Sequence, residues 1–397
     1  MPANPLPRWD IFCNVIDNFG DIGVCWRLAR QLVSEHGLNV RLWVDDLSAF
    51  RVLCPRIRAD LSEQTAQGVE VRRWEGDFAG ASSDISFDTT PGDVVVEAFA
   101  CRLPNAFETA MARREPKPVW INLDYLSAES WVAGCHTLPS PHPRLPLTKY
   151  FFFPGFTEAT GGLLRESNLE QQRLEFTASP TAREQFLESL GVPPPDADTL
   201  LVSLFSYENA ALPELLNIWS DADRPMLCLA PLTRNQENLE RFVGRSLRVG
   251  DAVRKGRLEL CSIPFIPQPD YDRLLWSCDL NFVRGEDSFV RAQWAARPML
   301  WHIYPQKENI HHAKLSAFLD AYCAGARPSD PAATVMREFS LAWNGVGPIT
   351  GALWERWLAV FPLLRHHAEE WQKKLLKQQD LASRLVQFCQ SRRILCG

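Results

Sequence analysis

Residues 9–24 read WDIFCNVIDNFGDIGV. Trp9 to Ile16 is a nearly continuous apolar run, the pattern of a strand buried on both faces. Asp17 to Gly23 breaks that pattern with two glycines and two acids. From Val24 to His36 the apolar residues Val24, Leu28, Leu32 and Val33 return at helical spacing, and Gly37 is a helix stop. Leu38 to Val44 reads as a second strand. Strand, glycine-containing loop, helix, strand is the opening unit of a parallel α/β sheet.

Working outward, strands are expected at Asp93 to Glu97 and Val119 to Leu123. Ser127 to Gly162 carries five prolines beside the cluster Tyr150-Phe151-Phe152-Phe153 and reads as mostly irregular. Pro193-Pro194-Pro195 reads as a boundary, after which a second alternating series begins. Its strands are expected at Thr199–Phe205, Pro225–Ala230, Leu258–Ile263, Asp279–Val283 and Pro298–Ile303. The tail from Gly351 reads as helical. The expectation is an α/β protein of two Rossmann-like domains, 1–180 and 195–360, closed by carboxyl-terminal helices at about 365–397. In such sheets ligands bind beyond the carboxyl ends of the strands.

The chain has 397 residues, 46% hydrophobic and 23% charged, which excludes a mostly disordered chain. Its net charge of -6 disfavours non-specific nucleic-acid binding, which depends on neutralising phosphates. The 11 cysteines form no C-x-x-C pair, and several sit in apolar runs, as expected of reduced core thiols. The amino-terminal segment, with Pro2, Pro5 and Pro7, lacks a signal peptide's apolar stretch, and no apolar run approaches the ~20 residues of a membrane span. The expectation is a cytoplasmic protein that binds neither nucleic acid nor membrane.

G-x-G-x-x-G and the P-loop pattern are absent, which disfavours dinucleotide and P-loop chemistry. The acid-x-acid runs at Asp196 and Asp221 read as solvated turns. The adjacent pairs His311-His312 and His366-His367 do not share a helix face, so no metal site is expected.

Three segments could carry chemistry. Asp17 and Asp21 stand between a strand end and a helix start. Asp21 could be an N-cap and Asp17 a turn former, or the pair could supply a general base. Arg284-Gly285-Glu286-Asp287-Ser288 follows a strand and opens a helix. Asp287 or Ser288 could simply cap that helix, or the turn could offer a permanent cation and a helix amino end to an anion, with Glu286 suited to a sugar diol. Phe205, Tyr207 and Phe265 end strands and could flank a flat base, with the Gln268 amide at its edge.

Together these segments resemble a known family. Ile11-Phe12-Cys13, Val15 to Val24 and Trp26-Arg27-Leu28-Ala29-Arg30 look like the opening of the protein-arginine rhamnosyltransferases that modify elongation factor P. Phe282 to Trp294 looks like that family's carboxyl-terminal signature. Leu42-Trp43, Asp45-Asp46 and Pro264 to Asp270 extend the resemblance along the chain.

The resemblance implies a GT-B glycosyltransferase with two Rossmann-like domains, an active site between them, and the helices at about 365–397 returning to the first domain. It implies inverting, metal-independent transfer of L-rhamnose from dTDP-β-L-rhamnose to one arginine of elongation factor P, with no cofactor beyond that donor. The modified factor then helps ribosomes through polyproline stretches. By the same resemblance Asp21 is the general base, while Asp17 and Glu286 are further essential acids. Arg284, Gly285, Asp287 and Ser288 would hold the diphosphate end. Asn18, Phe19 and Gly20 would line the sugar side, and Phe205, Tyr207, Phe265 and Gln268 the thymine. The acceptor would dock on the first domain, through the segment after Ser127 or that from Trp74 to Thr90. The alternatives are a GT-B enzyme with another acceptor, or a non-catalytic nucleotide-sugar-binding module.

Overall fold

The structure, a computed structural model, describes residues 7–17, 19–74, 90–325, 327 and 329–395. Asn18 and most of the segment from Trp74 to Thr90 therefore lie outside the described residues. The chain divides into two compact units, Met1–Ser167 with Gln378–Gly397, and Asn168–Lys377.

In the first unit the strands are β1 Arg8–Cys13, β2 Asn39–Val44, β3 Glu63–Ala66, β4 Val69–Arg73, β5 Val94–Ala98, β6 Val119–Leu123, β7 Pro139–Pro141 and β8 Thr148–Phe152. They form one sheet in the order β3-β4-β2-β1-β5-β6-β8-β7. β4, β2, β1, β5, β6 and β8 run parallel, and the two edge strands are antiparallel. The parallel strands thus follow the doubly wound order, which reverses between β1 and β5. Central β5 is buried along its length, as parallel strands covered on both faces must be. Phe12 anchors the core of this unit, its ring stacked on Trp43 at 5.3 Å.

The second unit repeats the scheme with β9 Leu200–Leu204, β10 Met226–Pro231, β11 Ala252–Lys255, β12 Leu258–Ile263, β13 Leu280–Arg284 and β14 Met299–His302. Their order is β11-β12-β10-β9-β13-β14, and the reversal falls between β9 and β13. Leu201, Leu227, Leu229, Ile263 and Leu274 build one of its cores.

Several expectations need correction. β1 stops at Cys13 rather than Ile16, because the next amides turn to side-chain carboxylates instead of a neighbouring strand. The helix accordingly starts at Gly20, and it ends as expected with Gly37 in the left-handed region. The segment read as irregular holds the helix Trp131–Cys135 and two strands. Tyr150, Phe151 and Phe152 of its aromatic cluster lie on β8, where β-favouring side chains pair with β6. The β3–β4 hairpin lies outside the expected strands; Gln67 and Gly68 form its turn, both at positive φ.

The units divide at Ser167 and Lys377, not near residues 180 and 365. Pro193-Pro194-Pro195 lies inside the second unit. The helix Phe361–Leu376 stays there because the Trp371 indole donates to Gln293 at 2.7 Å. The helix Leu381–Leu395 belongs to the first unit, where the Leu381 amide donates to the Leu163 carbonyl. The ten described cysteines carry free thiols, all but Cys135 buried. Among the described residues no helix is long and apolar enough to cross a membrane.

Candidate active site

In the first unit the loop after β1 is held by carboxylates. Asp45, just past β2, accepts from the Val15 amide at 2.9 Å. Asp21 Oδ2 accepts from the amides of Ile16 at 2.9 Å and Asp17 at 2.8 Å. Three consecutive N–H groups are thereby satisfied away from any strand. Asp21 is thus not an N-cap. Phe19 stands at that position without a side-chain cap bond, and the Asp21 carboxylate turns back from the first helical turn onto the loop.

Asp21 Oδ1 accepts from the Tyr125 hydroxyl at 3.3 Å. Burial raises the Asp21 pKa above the usual carboxylate range, and the neighbouring charge of Asp17 adds to that. The Asp17 and Ile16 amides and the Tyr125 hydroxyl oppose it. Asp17 is half-buried, and its carbonyl accepts from the Gly20 amide at 2.7 Å. Phe19 and Gly20 complete this turn.

Tyr125 follows β6, and its ring stacks on Phe99, just past β5, at 4.5 Å and 19°. Sequence reasoning singled out neither residue. Both sit at the carboxyl end of a central strand, which was the available signal. Asp45, in the Asp45-Asp46 run that carries the resemblance, acts here by holding the Val15 amide.

In the second unit Arg284 ends β13 and is 5% exposed. Its guanidinium lies 4.3 Å from the Phe205 ring centroid and 4.8 Å from that of Tyr207, and donates to the Ser206 carbonyl at 3.3 Å. Such aromatic contacts stabilise a cation from the ring face. Gly285 takes φ 58°, the left-handed conformation that turns the chain into the helix Asp287–Trp294. Its carbonyl accepts from the Trp301 indole at 2.8 Å. Ser288 Oγ accepts from the Arg284 amide at 3.0 Å and donates to the Arg284 carbonyl, so it locks the turn.

Glu286 stands at the head of that helix with no side-chain cap bond, 4.0 Å from the Lys314 ammonium. The Gln268 side chain is buried and donates to Asp287 at 3.0 Å, which ties two helix starts together. Phe265 meets Phe205 edge to face, with centroids 6.2 Å apart and planes at 70°. The two rings therefore do not offer parallel faces for a sandwich, and a flat base would stack on one and meet the edge of the other. Phe265 also lines a cavity of about 530 Å³ with Phe176, Phe186 and Pro267; Arg284 and Glu286 do not line it.

Ser206 Oγ and His302 Nδ1 are buried without a hydrogen-bond partner among the described residues. Burial first, then the charges of Arg284 and His311, push the His302 pKa down to about 3, so its imidazole is neutral. His311 and His312 do share a contact, with ring centroids 4.3 Å apart, contrary to the helix-face argument. Among the described residues no group of three metal-binding side chains comes together.

Each constellation thus sits at the strand-order reversal of its own sheet. Acids with a phenol occupy the first, and a cation with aromatic rings and a helix amino end occupies the second. Residues 9–390 match the family model described as Elongation-Factor P (EF-P) rhamnosyltransferase EarP. A protein-arginine rhamnosyltransferase of Pseudomonas aeruginosa is 51% identical over 96% of this chain and 99% of its own. One from Neisseria meningitidis is 38% identical over 98% of both chains. A solved structure described as the structural basis for EarP-mediated arginine glycosylation of EF-P aligns over 97% of this chain and 99% of its own. Its TM-score is 0.69 and its identity 38%. A UDP-glucosyltransferase of Polygonum tinctorium, 12% identical with TM-score 0.51 over 98% and 99% of the chains, shares the fold. The architecture is that of a GT-B glycosyltransferase, and the chain belongs to the EarP family of protein-arginine rhamnosyltransferases.

Proposed function

We propose that this protein transfers L-rhamnose from dTDP-β-L-rhamnose to an arginine side chain of elongation factor P, inverting the anomeric carbon without a metal ion. One observation carries the reading. The acids of the first unit and the arginine turn of the second each lie at the strand-order reversal of their sheet, where α/β folds bind ligands. Membership of the family supports the same reaction.

The donor belongs to the second unit. Phe205 and Phe265 take the thymine, with Gln268 beside them and Tyr207 backing Arg284. Arg284 and the amides that open the helix Asp287–Trp294 meet the diphosphate, whose negative charge grows as the sugar leaves. Gly285 lets the chain approach closely, Asp287 and Ser288 hold that turn in shape, and Glu286 accepts from rhamnose hydroxyls.

The acceptor arginine belongs to the first unit. A guanidinium, with a pKa above ~12, is a poor nucleophile. Asp17 orients it, and Asp21 takes its proton as the carbon–nitrogen bond forms and the diphosphate departs. Burial of Asp21 raises its affinity for that proton and narrows the mismatch. Asn18, Phe19 and Gly20 line the loop beside the sugar. A translation factor as acceptor sets the reaction in the cytoplasm.

The test is the intact mass of purified elongation factor P after incubation with this protein and dTDP-β-L-rhamnose. A gain of one deoxyhexose on arginine, as the α-anomer and undiminished by EDTA, is expected. No gain while dTDP-rhamnose still binds would overturn the acceptor and favour a binding module or another acceptor.

A further inference from the structure

We propose that Tyr125 is a positioning residue for the transfer, its hydroxyl aiming Oδ1 of Asp21 and keeping that oxygen ready to accept a proton. This rests on the reading of Asp21 as the base.

The argument starts from the two carboxylate oxygens. Oδ2 is committed to the amides of Ile16 and Asp17, at 2.9 and 2.8 Å. A proton leaving the acceptor must therefore arrive at Oδ1, and Oδ1 is the oxygen that Tyr125 reaches at 3.3 Å. That bond is long for O–H···O, as catalytic contacts often are before substrate binds.

The setting of Tyr125 is costly to build. Phe99, against which its ring stacks, takes φ 55°, and Ala100 and Arg102 take φ 53° and 56°. Non-glycine residues in the left-handed region are strained, and such strain concentrates at functional sites. The turn is held open by hydrogen bonds from within and beyond it. The Phe99 amide donates to the Leu123 carbonyl at 2.7 Å, and the Arg102 amide to Glu97 at 3.1 Å. Lys149 pairs with the other oxygen of Glu97 at 2.9 Å. The ends of β5 and β6 are thereby tied so that the phenol points at Asp21.

The titratable groups facing Asp21 are Asp17 on its own loop, Tyr125 beyond β6 and the Cys13 thiol at the end of β1. Burial and Asp17 favour the protonated carboxyl, whereas the Tyr125 hydroxyl favours the carboxylate. In the transfer, the guanidinium nitrogen bonds to the anomeric carbon and the bond to the diphosphate breaks. The nitrogen's proton passes to Oδ1, while the phenol keeps its own proton and yields its hydrogen bond.

The experiment compares Tyr125→Phe with wild type in two readouts. One is the pH dependence of kcat/KM for rhamnosylation of elongation factor P. The other is the titration of the Asp21 carboxyl carbon by NMR. The variant keeps the ring stack and loses only the hydroxyl. Both the acid limb and the titration should move up on the order of one pH unit, with the donor KM unchanged. Coincident profiles, or a loss confined to KM, would overturn the assignment. Phe99→Leu, which keeps the hydroxyl and loses the clamp, should move the limb in the same direction. A wild type that transfers nothing would overturn the functional reading itself, and the NMR titration would still report on the contact.

Discussion

The Asp17 carboxylate lies across the α-carbon of Gly20: a β-carbon added there would stand 2.8 Å from Asp17 Oδ2. Gly20 does not take a positive φ, so this position needs its small size rather than its conformational freedom. Gly20→Ala should displace the carboxylate while improving helix propensity, by up to ~1 kcal/mol. Thermal stability should hold or rise, and rhamnosylation should fall about a hundredfold. A melt combined with a mass-based rate assay checks this; unchanged activity would remove Asp17 from the reaction.

Asp21 both anchors the loop and is the proposed base, and two variants separate these roles. In Asp21→Asn the side-chain carbonyl can still accept from the Ile16 and Asp17 amides. Folding should persist while kcat drops by ~10²–10⁴. Asp21→Ala leaves both amides unpaired and should also cost about 1–3 kcal/mol of stability. Near-wild-type turnover in the asparagine variant would sink the base assignment.

The raised pKa of Asp21 also has a signed consequence for stability. The folded state holds this proton more tightly than the unfolded chain. The resulting stabilisation is full below the ordinary carboxylate value and is lost as pH rises through the raised one. Relative to Asp21→Asn, the wild type should therefore lose stability across that window with increasing pH. Denaturant titrations at several pH values read the difference, and parallel curves would contradict it.

Arg284 contributes a planar cation 4.3 Å from the Phe205 ring centroid and 4.8 Å from that of Tyr207. Lysine keeps the charge but not the plane or the bond to the Ser206 carbonyl. Arg284→Lys should weaken dTDP binding by about tenfold or more, the scale of one hydrogen bond to a charged group. Calorimetry with dTDP decides it, and an unchanged Kd would exclude Arg284 from the diphosphate site.

Asp272 and Arg291 form a buried bidentate pair, both contacts at 2.7 Å, between the helices Gln268–Ser277 and Asp287–Trp294. Each helix starts at a proposed donor residue. Asp272→Ala strands the Arg291 charge and should cost about 3–5 kcal/mol. dTDP affinity should fall in the same variant. Denaturant unfolding that matched wild type would show that the pair contributes little.

Much of this architecture could be read from the order of residues. Trp9 opens an apolar run, Gly37 ends a helix, and Arg284-Gly285 interrupts a strand-to-helix passage; each is a local signal spanning a few residues. Where reading failed, a side-chain partner had overridden the local pattern. Val15 and Ile16 look like strand, yet their amides go to Asp45 and Asp21.

Periodicity and glycine placement act over one or two turns of chain, so the residues alone specified two alternating α/β series and the two charged turns. They did not specify which strands become neighbours. Asp21 and Tyr125 are 104 positions apart and meet because β5 pairs with β1, and β6 with β5. Ser206 and Arg284, 78 apart, meet because β13 pairs with β9. Strand order depends on burying whole faces of distant segments at once, a property of the assembled sheet that no short window of sequence contains.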